Sequence, residues 1–172
     1  MIKVFAIILK TLLRKRKKSV NNKPINTGDR MVEIIKNCSC PCIACRQLGS
    51  QPINAELIYK IMELEKRVGK HANIHSGRRC PDYNSSIGGY ADSPHITGMA
   101  ADISVEGYSM IALAKICVEI GFERIGIYPN HVHVDMIDPC PSLFWYVRKY
   151  NEAPIYSRSI KTLEEFIEKV IK

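Results

Sequence analysis

The chain of 172 residues has no surplus of positive charge over most of its length. Residues 31–172 hold sixteen basic and sixteen acidic side chains, and the formal charge of +8 comes from nine Lys or Arg and the single acid Asp29 in residues 1–30. A domain that binds nucleic acid shows its own basic stripe, because it must neutralise phosphates. The even balance of residues 31–172 therefore argues against a nucleic-acid partner.

The first 30 residues lack an apolar run long enough to cross a bilayer, which takes about 20 apolar residues. Their apolar stretch is short and interrupted, a basic block follows it, and no cleavage site of a secretory signal is evident. In a helix, Lys3, Lys10, Arg14 and Lys17 share one face, which suits an amphipathic helix on an anionic membrane surface. A disordered basic tail fits equally well. We predict a tail and linker over residues 1–30 and one domain over residues 31–172.

The seven cysteines are an odd number, which does not suit a secreted scaffold built on paired disulfides and favours folding in a reducing compartment. Four of them lie close together at Cys38, Cys40, Cys42 and Cys45. The spacing of Cys42 and Cys45 is that of a zinc knuckle. Cys38 and Cys40, however, are closer in sequence than the usual pair of metal ligands, and no second knuckle follows. An auxiliary metal site stays open, and unpaired thiols or a local disulfide are together favoured over it.

The sequence H-V-H-V-D-M, residues 131–136, predicts a strand with one polar face. His131, His133 and Asp135 alternate with apolar residues, and successive side chains of a strand point to opposite faces. A polar strand face is often merely solvated. Here it presents three groups in a row that can bind a metal or transfer protons.

A second segment, S-P-H-I-T-G-M-A-A-D over residues 93–102, places His95 and Asp102 seven residues apart. Pro94 restricts the residue before it, and Gly98 allows close backbone approach. Residues 100–105 then alternate as a strand. The two segments together supply two histidines and a carboxylate for one zinc ion with a coordination position left open, which is typical of a catalytic zinc. This predicts hydrolytic chemistry.

Further motifs make the chain resemble a known family. S-G-R-R-C-P-D-Y-N begins at Ser76, G-G stands at Gly88, and G-F-x-x-I-G-I-Y-P-N-x-V-H-V-D begins at Gly121. With S-x-H-x-x-G-x-A-x-D-I between them, these motifs resemble the zinc D-alanyl-D-alanine carboxypeptidases. That family is grouped with lysostaphin-type enzymes and the zinc domain of sonic hedgehog. The resemblance covers roughly residues 54–145.

The resemblance implies roles for individual residues. His95, Asp102 and His133 correspond to the zinc ligands. Arg79 and Ser93 correspond to substrate-binding residues, and the planar guanidinium of Arg79 suits a substrate carboxylate. The adjacent Arg78 stands where many relatives have an aromatic residue, so the inward-pointing arginine is not settled by the motif.

The catalytic base is left open, because the chain departs here from part of the family. Several members have an acid three positions before the last zinc ligand, where this chain has Asn130. We assign His131 to stabilising the transition state or transferring a proton. Asp135 is the rival base or a carboxylate that orients a ligand.

By resemblance, the expected function is that of a zinc peptidase on peptidoglycan stem peptides, foremost a D-alanyl-D-alanine carboxypeptidase. The alternatives are an endopeptidase of the same family and a non-catalytic, zinc-stabilised binding module. We expect a monomer that is made in the cytoplasm and acts at the cell wall, and association of its tail with a membrane surface stays open.

The fold class is predicted to be α+β, with a small antiparallel sheet carrying the zinc and helices flanking it. Periodicity predicts helices over residues 54–68 and 109–120, each ending at a glycine. Residues 125–128 and 131–137 predict a hairpin. Thr162 and Glu165 predict the start of a last helix.

Overall fold

The computed structural model describes residues 27–47, 51–137, 143–156 and 162–171. A compact unit spans Met31–Lys172. Residues 1–26, which carry most of the predicted basic tail, lie outside the described ranges. Within those ranges, no helix has the length and apolar character needed to cross a membrane.

Six α-helices occur among the described residues, and the last continues as a π-helical turn over Ile167–Ile171. They are α1 (Thr27–Asn37), α2 (Ile43–Gln47), α3 (Ala55–Val68), α4 (Pro81–Ser86), α5 (Met110–Glu119) and α6 (Leu163–Phe166).

The ends of the helices follow their local sequence. The side chain of Asn54 accepts a hydrogen bond from the backbone N–H of Leu57 and caps α3, which ends at Gly69 with φ of 68°. Ser109 caps α5 by accepting from the N–H of Ala112 at 3.2 Å. Thr162 caps α6 in the same way. The predicted helix starts are therefore confirmed, although α6 is only four residues long.

Six strands form one sheet in the order β1-β2-β4-β3-β5-β6. They are β1 (Ala72–Ser76), β2 (Ala100–Val105), β3 (Arg124–Ile127), β4 (Val132–Asp135), β5 (Leu143–Tyr146) and β6 (Ile155–Tyr156). All neighbours are antiparallel except β3 and β5, which pair in parallel.

The α+β class is confirmed, and the sheet is mixed where a small antiparallel one was expected. Strands β1 to β4 form its antiparallel part, and the predicted hairpin is β3 and β4. The backbone N–H of Tyr128 closes the hairpin turn by donating to the carbonyl of His131 at 3.0 Å. The parallel pairing of β5 with β3 extends the sheet beyond this part.

The core lies between the sheet and the helices α3 and α5. Their buried residues include Leu57, Ile61, Leu64 and Leu113, which belong to one cluster with buried strand residues such as Ile103. Burial of aliphatic side chains on this scale supplies most of the stability of such a domain. Strands β2 and β4 lie inside the sheet, and both contribute buried residues to this core.

Candidate metal centre

Three elements bring two histidines and one aspartate together. Asp102 on β2 and His133 on β4 are directly paired across neighbouring antiparallel strands, so their side chains lie side by side on one face. His95 comes from the turn before β2. Gly98 shapes that turn with φ of 73°, and an added Cβ there would lie 2.5 Å from the carbonyl oxygen of Pro52.

The ligand atoms of this triad converge at distances that fit a metal. Nε2 of His95 lies 3.2 Å from Nδ1 of His133 and 3.4 Å from Oδ1 of Asp102, and the latter two atoms are 2.8 Å apart. Nitrogen and oxygen ligands of a tetrahedral zinc ion lie about 3.3 Å from one another. The residue types and separations therefore fit zinc.

The triad is buried, and its charges are strongly coupled. His95, Asp102 and His133 each expose 7% or less of their surface. Burial acts against the charged form of Asp102, but its hydrogen bonds with the two histidines hold its pKa well below the usual range. Burial likewise opposes charge on His133, yet its bonds to Asp102 and Asp135 raise its pKa to about 9. In the metal-free protein the ionised Asp102 is thus paired with a protonated His133, and that proton has to leave when zinc binds.

The remaining nitrogen of each histidine also has a partner. Nδ1 of His95 lies 2.6 Å from the carbonyl oxygen of Gly77, and Nε2 of His133 lies 3.2 Å from Oδ2 of Asp135. The carboxylate of Asp135 is fully buried and accepts from Nε of Arg124 at 2.9 Å. Such contacts fix the ring orientation and the tautomer of a ligating histidine.

Of the two adjacent arginines, Arg79 is the one that contacts the triad. Its Nη2 donates to Oδ2 of Asp102 and its Nε to Oγ of Ser76, both at 2.8 Å. Arg78 instead donates to the side chain of Gln51 and lies 3.5 Å from the carbonyl of Ile96. The motif alone left this choice open.

His131 lies beside the triad just before β4. Its Nε2 is 3.8 Å from Oδ1 of Asp102, and its Nδ1 is 2.8 Å from Oδ1 of Asn130. Its ring stacks on Tyr128 with centroids 4.4 Å apart. Burial lowers the pKa of His131 to about 4, so the imidazole is neutral near pH 7.

The other predicted substrate residue, Ser93, is half-buried two residues before His95. The carbonyl of Ser93 accepts from the N–H of Ile96 at 2.9 Å, which helps to form the turn that carries His95.

Sequence reasoning missed an aromatic wall of the site. The ring of Trp145 lies 5.2 Å from that of His133, and its Nε1 donates to the hydroxyl of Tyr128 at 3.1 Å. Gly126 makes room for it, because a Cβ there would lie 2.3 Å from the indole. Trp145 is the only tryptophan of the chain, which was the one available signal.

The comparisons with known proteins agree with this geometry. A protein-family model described as Peptidase M15 matches residues 30–135, a range that contains the whole triad and Arg79. A search of curated proteins found no match.

Proposed function

Since the chain belongs to the M15 peptidase family, we propose that it hydrolyses peptidoglycan stem peptides as a D-alanyl-D-alanine carboxypeptidase. Its membership confirms the family resemblance of the motifs and makes the chain a zinc metallopeptidase. The peptidoglycan substrate and the terminal D-alanine as the leaving group are what we propose beyond that membership.

The convergence of His95, Asp102 and His133 on one point carries the proposal. Zinc held there supplies Lewis-acid chemistry, because it polarises a carbonyl oxygen and makes water a nucleophile near neutral pH. Three protein ligands leave a position for substrate, as catalytic sites require. His131 and Arg79 both lie next to Asp102 and bring a proton-transferring group and a cation to the triad.

We assign His131 to proton transfer. With Nδ1–H donated to Oδ1 of Asn130, the lone pair of Nε2 faces the site. The hydroxyl of Tyr150 also contacts the side-chain amide of Asn130. Nε2 can then accept a proton from the attacking water and pass it to the leaving amine. Asn130 therefore serves to hold the imidazole of His131 in the tautomer that this step needs.

Asp135 fits an orienting role better than that of the base. Its carboxylate accepts from His133 and Arg124 and is fully buried behind the metal ligand. A base has to lie within hydrogen-bond reach of the attacking water. We therefore assign Asp135 to holding Nδ1 of His133 towards the metal.

Arg79 is proposed to bind the carboxylate end of the substrate. It already bonds Asp102 and Ser76 through Nη2 and Nε, and the guanidinium has further N–H groups for a substrate oxygen. Those existing bonds also favour a second candidate, an endopeptidase. They leave fewer guanidinium N–H groups of Arg79 to bind the terminal carboxylate of a substrate.

Mass spectrometry of a digest of defined muropeptides tests the proposal. Zinc-loaded protein should release a terminal D-alanine, and chelator or His133→Ala should abolish the release. Arg79→Ala should raise KM for peptides with a free terminal carboxylate and spare bonds cleaved internally. Products cut only at crosslinks would establish the endopeptidase, and no product from the zinc-loaded wild type would contradict both candidates.

A further inference from the structure

A second group of metal-capable side chains lies outside the catalytic triad. Cys40 and Cys42 stand in the loop between α1 and α2, Cys45 lies in α2, and Cys80 is the residue that caps α4. All four sulfur atoms lie within 4.8 Å of one another. The sequence suggested no partner for the knuckle pair Cys42 and Cys45, and the fold supplies Cys80 from 35 residues further along the chain.

The separations suit a metal better than a disulfide. Sγ of Cys42 lies 3.6 Å from Sγ of Cys80. Sulfurs bound at about 2.3 Å to a tetrahedral zinc ion are about 3.8 Å apart, whereas a disulfide needs about 2.05 Å. All six cysteines of the described ranges are free thiols.

Backbone N–H groups point at three of the four sulfurs, which is a second and independent observation. The N–H of Cys45 lies 3.3 Å from Sγ of Cys42, that of Cys80 lies 3.3 Å from Sγ of Cys40, and that of Tyr83 lies 3.4 Å from Sγ of Cys80. Hydrogen bonds from N–H groups stabilise the thiolate, which is the form that binds metal. Such donors also fix the direction of a ligating sulfur.

We propose that Cys40, Cys42, Cys45 and Cys80 bind a second zinc ion with a structural role. Four thiolates complete a tetrahedral shell and leave no position for substrate, in contrast to the triad. Tetrahedral sulfur sites take zinc or iron. Zinc is the metal that the catalytic centre of this chain already requires.

The second zinc would anchor the segment that shapes the catalytic centre. Cys80 directly follows Arg79, which bonds Asp102, and the carbonyl of Gly77 bonds His95. The loop that holds Cys40 and Cys42 touches the same segment, because the N–H of Arg78 donates to the carbonyl of Cys38 at 2.6 Å. The cysteine site is therefore a positioning device for the catalytic residues and has no part in the reaction itself.

The metal content of the full-length wild type, purified with reductant, is the first test. Elemental analysis should find about two zinc ions per chain. Replacement by cobalt should give the near-ultraviolet absorption of a thiolate-bound ion, which two histidines and a carboxylate cannot produce. One equivalent of zinc without that absorption, iron in place of zinc, or four cysteines recovered as disulfides would overturn the proposal.

Cys80→Ser provides the matched variant. Serine keeps an oxygen that can cap α4 by accepting from the N–H of Tyr83, but it is a poor zinc ligand. We expect loss of one zinc equivalent of two and of the cobalt–thiolate absorption. Retention of both would contradict the ligand assignment, and if the variant does not fold, the wild-type cobalt spectrum decides.

Two controls separate this site from the peptidase proposal. Cys38→Ala removes a buried thiol from the same segment and should keep both zinc ions, because Cys38 is outside the cluster. His133→Ala should lose the other equivalent and keep the cobalt–thiolate absorption. Zinc content and the cobalt absorption therefore test this proposal independently of which peptide the chain cleaves.

Discussion

Asp135→Asn should weaken zinc binding without removing a ligand. In the wild type, Oδ2 of Asp135 accepts from Nε2 of His133 at 3.2 Å, and both carboxylate oxygens lie 2.9 Å from Nε of Arg124. Asparagine keeps the shape but loses the negative charge, which polarises the imidazole and increases its strength as a ligand. The buried Arg124 contact also loses its partner charge.

The expected loss is about 10- to 100-fold in zinc affinity, which corresponds to about 1.4–2.7 kcal/mol. Competition with a chromogenic chelator measures the affinity of the triad. Turnover should recover when zinc is raised to saturation, because the base and the ligands are intact. Asp92→Asn is the matched control, since Asp92 is exposed and lies three residues before His95.

The same variant separates the two roles that the sequence left open for Asp135. If the carboxylate were the catalytic base, Asp135→Asn would keep its zinc affinity and lose turnover even in saturating zinc. That outcome would refute the orienting role and the proton-transfer role given to His131.

Three other predictions concern the catalytic histidine, the pH dependence of zinc affinity and the N-terminal tail. His131→Ala should keep its zinc and its fold and lose about 10²–10³ in kcat, measured with a soluble peptide, and unchanged turnover would exclude His131 from the reaction. Zinc affinity, measured by chelator titration, should rise by up to about tenfold per pH unit towards pH 9. The reason is that His133 in the metal-free protein has its pKa raised to about 9 and must lose a proton to bind zinc. An affinity that does not change with pH would contradict this. Deleting residues 1–26 should leave turnover of a soluble peptide nearly unchanged and abolish salt-sensitive binding to anionic vesicles, and vesicle binding that survives the deletion would show that the tail is not the membrane element.

Features that depend on neighbouring residues along the chain could be predicted from the sequence. The caps Asn54 and Ser109 and the stop at Gly69 stand where the periodicity places them. Strand β2 has the predicted bounds, and the hairpin of β3 and β4 forms around the predicted turn. Caps, turns and side-chain alternation are made within a few residues, so local sequence determines them.

The ligand set could be anticipated because each half of it is local. The seven-residue spacing of His95 and Asp102 and the alternation that sets His133 are visible in the sequence, and the family motif joins them. Their alignment across β2 and β4 brings the halves within about one hydrogen-bond length, a pairing that the sheet register provides.

Only the tertiary structure decided which distant groups meet. The parallel pairing of β5 with β3 puts Trp145 against His133. The packing of residues 40–45 on the segment after β1 brings Cys80 to the other three cysteines. It also turned Arg79, and not Arg78, towards Asp102. Such contacts join residues far apart in the chain, and the packing of the whole core selects them, so no spacing along the sequence encodes them.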